Sequence, residues 1–238
     1  MPDISFPFGA RELRGYLAVP AGDGPWPGVV VIHDIFGLTP DLRAQCDWLA
    51  REGFLALGPD LYSRAHTFAC LRSTVMDLRA RRGPTFDAFE AARARLVSDE
   101  RCTGRVGVNG YCIGGGFSLL LAAEGNYDVS GVNYGDVPND AARVLAGACP
   151  VVGSYGAKDR RLAKQVARLE TALEVNGVPH DVKVYPNAGH GFLNEHVGKT
   201  ALFLAVAGRL IGVHADEESA IDARQRIIAF FTRYLTGH

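Results

Sequence analysis

The sequence predicts an α/β chain, with a mostly parallel central sheet and helices on both faces. Three observations carry that expectation. The run "GVVVIH" (28–33) is continuously apolar, as a strand buried on both faces must be. Strand-like and helix-like segments alternate through most of the 238 residues, and each connection is long enough for a right-handed crossover. A hydrophobic content of 47% supplies a sizeable core. No repeat or low-complexity linker divides the chain, so one domain over 1–238 is expected.

The elements follow in order. "LRGYLAV" (13–19) reads as a short strand, and the loop "PAGDGPWPG" leads from it into strand 28–33. In "DLRAQCDWLAREG" (41–53), an Asp41 cap follows Pro40, Leu42, Cys46 and Leu49 stand at helical spacing, and Gly53 stops the helix. The strand "FLALGPDL" comes next. Residues 62–84 are basic and irregular, a lid-like insertion with a short helix, before the long helix "PTFDAFEAARARLVSD". Then come the strand "RVGVNG", the helix "IGGGFSLLLAAEG" and the strands "VSGVNYG" and "CPVVGSYGAKD". An amphipathic helix from Arg160 ends at Asn176-Gly177, "HDVKVYP" is the last strand, and a helix from about 216 to 235 closes the chain.

Composition removes several function classes. Lys+Arg 25 against Asp+Glu 26 gives a formal charge of −1 with no basic stripe, so no nucleic-acid partner is expected. The five cysteines, 46, 70, 102, 112 and 149, form no CxxC pair, which predicts reduced thiols in a cytoplasm and no metal site. The N-terminus lacks a secretory signal pattern, and the greasiest stretch, Ala201 to Val213, is broken by Arg209 and too short to span a bilayer; no membrane association is expected. "HVGKT" (196–200) is not a phosphate loop, because Leu193 stands where that motif needs glycine, and glycines 104, 107 and 110 do not make a dinucleotide fingerprint.

Function in such sheets collects at the carboxyl ends of the strands. Three residues fall there in the order nucleophile, acid, histidine: Cys112 after strand 105–110, Asp159 after strand 150–155, and His190 after strand 180–185. Gly110-Tyr111-Cys112-Ile113-Gly114 is a nucleophile elbow with sulfur in place of oxygen. A nucleophile on so tight a turn takes strained backbone angles, and its neighbours two residues away must be small. The following helix start brings backbone N–H groups and a positive dipole end beside the sulfur, which favours a thiolate and stabilises an oxyanion. A free thiol ionises only near pH 8.5, about one and a half units above neutrality, so an imidazole must assist; His190 is the candidate, with Asp159 to orient it. Asp159 also suits a helix cap for residue 160 onward.

With these residues in hand, the sequence resembles the dienelactone hydrolase family of α/β-hydrolases. The matching pieces, in family order, are "HDIFGL" (33–38), "GPDLYSR" (58–64), "GYCIGGG" (110–116), "GAKD" (156–159) and "AGHGF" (188–192). The resemblance implies a Cys112-Asp159-His190 triad without cofactor, an oxyanion hole from the N–H groups of Ile113 and Ile35, and a small ester or lactone substrate. Two positions depart from the family pattern. Asp34 replaces a glutamate thought to modulate the resting thiol, and Asn194 replaces an arginine that grips a substrate carboxylate.

Arginines of the insertion, Arg64, Arg72, Arg79, Arg81 and Arg82, are candidates to supply the missing charge, with Arg79 and Arg81 placed among the substrate-binding residues. Phe36, Tyr62, Tyr111, Tyr134 and Phe192 are candidate pocket walls. The stretch 194–215, longer than in minimal family members, lines the pocket or covers a second subunit, leaving monomer and homodimer open. Two other readings stand beside the hydrolase: a non-catalytic or thiol redox-sensing module on the same fold, and a serine esterase using Ser118 or Ser154, neither of which lies in an elbow pattern.

Overall fold

The computed structural model describes residues 3–64, 67–195 and 213–237; "HVGKT", most of 194–215 and the side chain of Arg64 lie outside the described residues. Eight strands form one sheet: β1 (Asp3–Phe8), β2 (Arg11–Ala18), β3 (Trp26–Ile32), β4 (Leu55–Pro59), β5 (Cys102–Tyr111), β6 (Val129–Asn133), β7 (Val151–Gly156) and β8 (His180–Tyr185). Their order is β1-β2-β4-β3-β5-β6-β7-β8. From β4 to β8 every neighbouring pair is parallel, while β2 runs antiparallel to both β1 and β4.

The helices are α1 (Pro40–Arg51), α2 (Thr67–Ala80), α3 (Pro84–Val97), α4 (Ile113–Leu121), α5 (Ala141–Val144), α6 (Arg160–Val175) and α7 (Glu217–Leu235), with a 3-10 turn at Leu61–Arg64. Strand β3 shows why its run is apolar throughout. Val29 and Val31 join the core cluster that includes α1 and α7, whereas Val30 and Ile32 join the cluster that includes α3. Each face of the sheet is thus covered, as a parallel sheet requires.

Three details differ from the sequence reading. The N-terminal strand β1 was not expected; it pairs with β2 through a tight turn in which Gly9 has φ +59°. Ile4, Phe6 and Phe8 alternate with Asp3, Ser5 and Pro7, a period-2 strand pattern, and the alternate residues face inward where β1 pairs with β2. The insertion holds a 14-residue helix, α2, where a short one was expected. The cap of helix α1 lies two residues earlier than expected: Thr39, not Asp41, accepts from the Leu42 N–H, and Pro40 takes the first turn. Asp41 is thereby free for another task.

Candidate active site

The site is built where β5 turns into α4. Cys112 has φ +56° and ψ −117°, a left-handed conformation costly for a residue with a side chain, and occupies the N-cap position of α4. Its N–H donates to the Asn133 carbonyl at 3.0 Å, and its carbonyl accepts from Gly116 at 3.2 Å, so the turn is tied at both ends. The elbow glycines are required by contact: a Cβ at Gly110 would lie 2.0 Å from the Gly114 oxygen, and one at Gly114 would lie 2.5 Å from the Ile32 oxygen.

His190 comes from the loop after β8, and its Nδ1 meets Asp159 Oδ2 at 2.8 Å. The other oxygen of Asp159 accepts from the N–H groups of Arg161 and Leu162, both at 3.2 Å. Asp159 is therefore both the N-cap of α6 and the partner of the imidazole; the two readings of this residue hold together. Burial pushes the His190 pKa down, but its hydrogen bonds to Asp159 and Cys112 and the charges of both outweigh that and raise it to about 9. For Asp159, burial acts to raise the carboxyl, yet the hydrogen bond from His190 and that from the Leu162 N–H leave it below the usual carboxylate range.

Cys112 and His190 line one cavity of about 460 Å³, together with Ile35 and Ile113. The Ile113 amide opens α4, so no earlier turn of the helix offers it a carbonyl. The Ile35 peptide is held from behind: the Tyr62 hydroxyl donates to its carbonyl at 3.1 Å. Gly37, at φ +84°, makes room for that tyrosine, whose ring a Cβ would approach to 2.7 Å. Asp34 is buried and accepts from the Phe36 N–H at 2.8 Å, a short turn that shapes the same loop. Tyr62 and Phe36 act on the loop and are absent from the cavity lining.

The remaining wall is apolar with a charged rim. Val75 and Leu78 of α2, Leu120 of α4, and Val137 and Pro138 after β6 line it, with Arg79, Arg81 and Arg161. Arg81 grips Asp140 with both guanidinium arms, one at 2.9 Å, and Arg161 pairs with Asp136. Arg79 has no ion-pair partner among the described residues. Arg161 was not singled out from sequence, although it stands two residues after Asp159 at the start of a helix that follows a site strand.

Beyond Tyr62 and Phe36, the structure differs from expectation at three further pocket candidates. Tyr111 is turned into the core, where its hydroxyl donates to Gln45 Oε1 at 3.0 Å and accepts from Asn109 at 3.0 Å; successive residues of a strand face opposite ways, and it precedes the half-buried thiol that faces the cavity. Phe192 is buried behind the cavity between Tyr134 and Tyr185, with centroids 5.8 and 5.2 Å away. Asn194 does not face the cavity; it bridges Tyr134 and Asp41. Only Tyr134 of those aromatics lines it, its ring edge-on to His190 at 5.1 Å. Arg72 and Arg82 lie outside the lining, and Ser118 and Ser154 are fully buried, which removes them as nucleophiles. Among the described residues no cluster of His, Cys, Asp or Glu is arranged to hold a metal, and no helix is long and apolar enough to cross a membrane.

Comparison with known proteins converges on one group. The family model described as "Dienelactone hydrolase family" matches residues 13–235. The chain belongs to the dienelactone hydrolase family. It is 29% identical to a carboxymethylenebutenolidase of Rhodococcus opacus, across 93% of this chain and 86% of that one. It is 31% identical to the protein usf of Aquifex pyrophilus, across 98% of both. A solved dienelactone hydrolase-like promiscuous phosphotriesterase from metagenomic libraries shares the fold, with a TM-score of 0.79 at 24% identity over 98% of this chain and 97% of that one. Membership of this family makes the chain a hydrolase of the lactone and ester class on an α/β-hydrolase fold.

Proposed function

We propose that this dienelactone hydrolase family member cleaves lactones or small carboxylic esters with Cys112 as nucleophile, His190 as proton carrier and Asp159 as its orienting partner. The observation that carries this reading is the strained Cys112 turn facing, across one cavity, an imidazole held by a buried carboxylate. The Cys112 thiolate attacks the carbonyl carbon and a C–S bond forms. The oxygen takes the negative charge, within reach of the Ile35 and Ile113 amides. When the tetrahedral species collapses, the C–O bond breaks and the leaving alkoxide takes the proton from His190; in a lactone that alcohol stays tethered.

The second half follows from electrostatics. Part of what raises the His190 pKa is Cys112 itself. A thioester sulfur carries no charge, so acylation removes that part and leaves only the Asp159 contribution. His190 then moves towards its neutral form, which is the form needed to take a proton from water for deacylation. Helix α2 and the arginines after it act as a lid-like wall over the cavity, and the chain works as one domain on small molecules.

Intact-protein mass spectrometry with an activated aryl ester tests the nucleophile. One acyl group on Cys112, absent from Cys112→Ala, is the expected result. Undiminished turnover in Cys112→Ala would overturn the mechanism. Oxidation of Cys112 by dilute peroxide without any acylation would favour a thiol sensor instead.

A further inference from the structure

Asp41 and Asn194 lie outside the reacting groups and yet form a directed chain that ends against the catalytic imidazole. Asp41 is buried, and its carboxylate accepts from Asn194 Nδ2 and from the Glu195 N–H, both at 2.6 Å. Both Asp41 oxygens accept, so the Asn194 amide turns its NH₂ towards Asp41. Its oxygen then faces Tyr134, whose hydroxyl has to donate to it. The polarity of the whole chain is set at Asp41. Tyr134 is itself strained, with φ +41°, and its ring stands 5.1 Å from His190. The Asn194 N–H also closes a turn onto the Gly191 carbonyl at 2.9 Å, beside His190 in sequence.

We propose that Asp41 is a positioning residue for the reaction: through Asn194 it fixes the Tyr134 ring against His190 and so sets the orientation of the imidazole between Cys112 and Asp159. This rests on the catalytic reading of His190 given above. Helix α1 also follows directly on the loop of Ile35, so the same carboxylate ties the oxyanion side of the site to the histidine side. An unfixed amide can turn over and leave the tyrosine without an acceptor. Tyr134 is then free to relax from its strained backbone angle, and the ring that limits imidazole rotation withdraws.

The test uses Asp41→Asn, which keeps size and removes the fixed polarity, and Tyr134→Phe, which removes only the donor. Active-site titration with an aryl ester first gives the fraction of competent sites. Per titrated site, each variant is expected to lose about 10-fold to 100-fold in kcat, with KM within about twofold, as small misplacements of a catalytic group do. The double variant is expected to lose no more than the worse single one, since both changes cut one chain. A purely structural role would lower the titrated fraction and leave kcat per site unchanged. The ring-current shift of the His190 Hε1 proton gives a second readout that needs no turnover: it should move towards the free-histidine value in both variants. Losses that multiply in the double variant, or an unmoved Hε1 signal, would overturn the proposal. Absence of acylation at Cys112 in the parent protein would instead remove the catalytic reading, with the NMR readout still deciding the positioning chain.

Discussion

Three glycines in a row, 114 to 116, look alike as letters but carry different loads. At Gly114 an added Cβ would sit 2.5 and 2.6 Å from the carbonyl oxygens of Ile32 and His33, which are backbone atoms and cannot swing away. At Gly116 it would meet the Leu78 side chain at 3.4 Å and the Asp136 nitrogen at 3.8 Å, ordinary contacts inside the cavity wall. Gly114→Ala is therefore expected to cost about 1–3 kcal/mol in urea unfolding and to abolish acylation of Cys112, because the nucleophile turn must shift. Gly116→Ala should unfold at the parental midpoint and acylate normally, with a raised KM confined to bulky acyl groups. Equal loss of acylation in both would contradict this division. The same contrast shows what the sequence could carry at this scale: the elbow pattern pointed to Gly110 and Gly114, whereas the role of Gly116 depends on which residue of α2 faces it.

At the scale of elements, α6 begins on a residue with two duties. Asp159 caps the helix with one oxygen and holds His190 with the other. Asp159→Asn keeps a capping oxygen and loses the charge; Asp159→Ala loses both. Both variants should hydrolyse esters far more slowly, but only the alanine should pay about 1 kcal/mol more in stability, visible as a lower thermal midpoint than that of Asp159→Asn. Matching midpoints would mean that the cap contributes nothing. Helix α2 invites a different measurement. Arg79 is the unpaired cation among the described lining residues, whereas Arg81 is committed to Asp140. Arg79→Ala should raise KM about tenfold for esters bearing a free carboxylate and leave neutral esters unchanged, in line with the strength of a charged hydrogen bond. The segment 62–84 is legible as basic from sequence, yet its arginines are equivalent there. The partner of Arg81, Asp140, comes from 59 residues away, and no local pattern tells Arg81 apart from the unpaired Arg79.

The whole sheet explains why the site was readable in outline. Each chemical group follows its own strand, β5, β7 or β8, and strands in parallel register deliver their carboxyl ends to one edge. Chain order alone therefore placed Cys112, Asp159 and His190 together. Direction of side chains did not follow from order, which is why Tyr111 and Phe192 turned out to serve the core. The assembled site also leaves a mark on global stability. His190 has its pKa raised from 6.5 to about 9 in the folded chain, so folding favours its proton. That contribution is complete below the unfolded value, declines as pH rises through the interval up to about 9, and is gone above it. Asp159, lowered from 3.8, behaves oppositely: it supports the fold above its unfolded value and loses that support as pH falls through the folded one. The urea midpoint of the parent protein should accordingly exceed that of His190→Gln by a margin that shrinks between about pH 6 and about pH 10. In Cys112→Ala the thiol no longer helps to hold the imidazolium, so the decline should be smaller and should end at lower pH. A margin that stays constant across the interval would mean that the imidazole is not held in its charged form by its neighbours, and with it would fall the account of how acylation releases His190 to act on water.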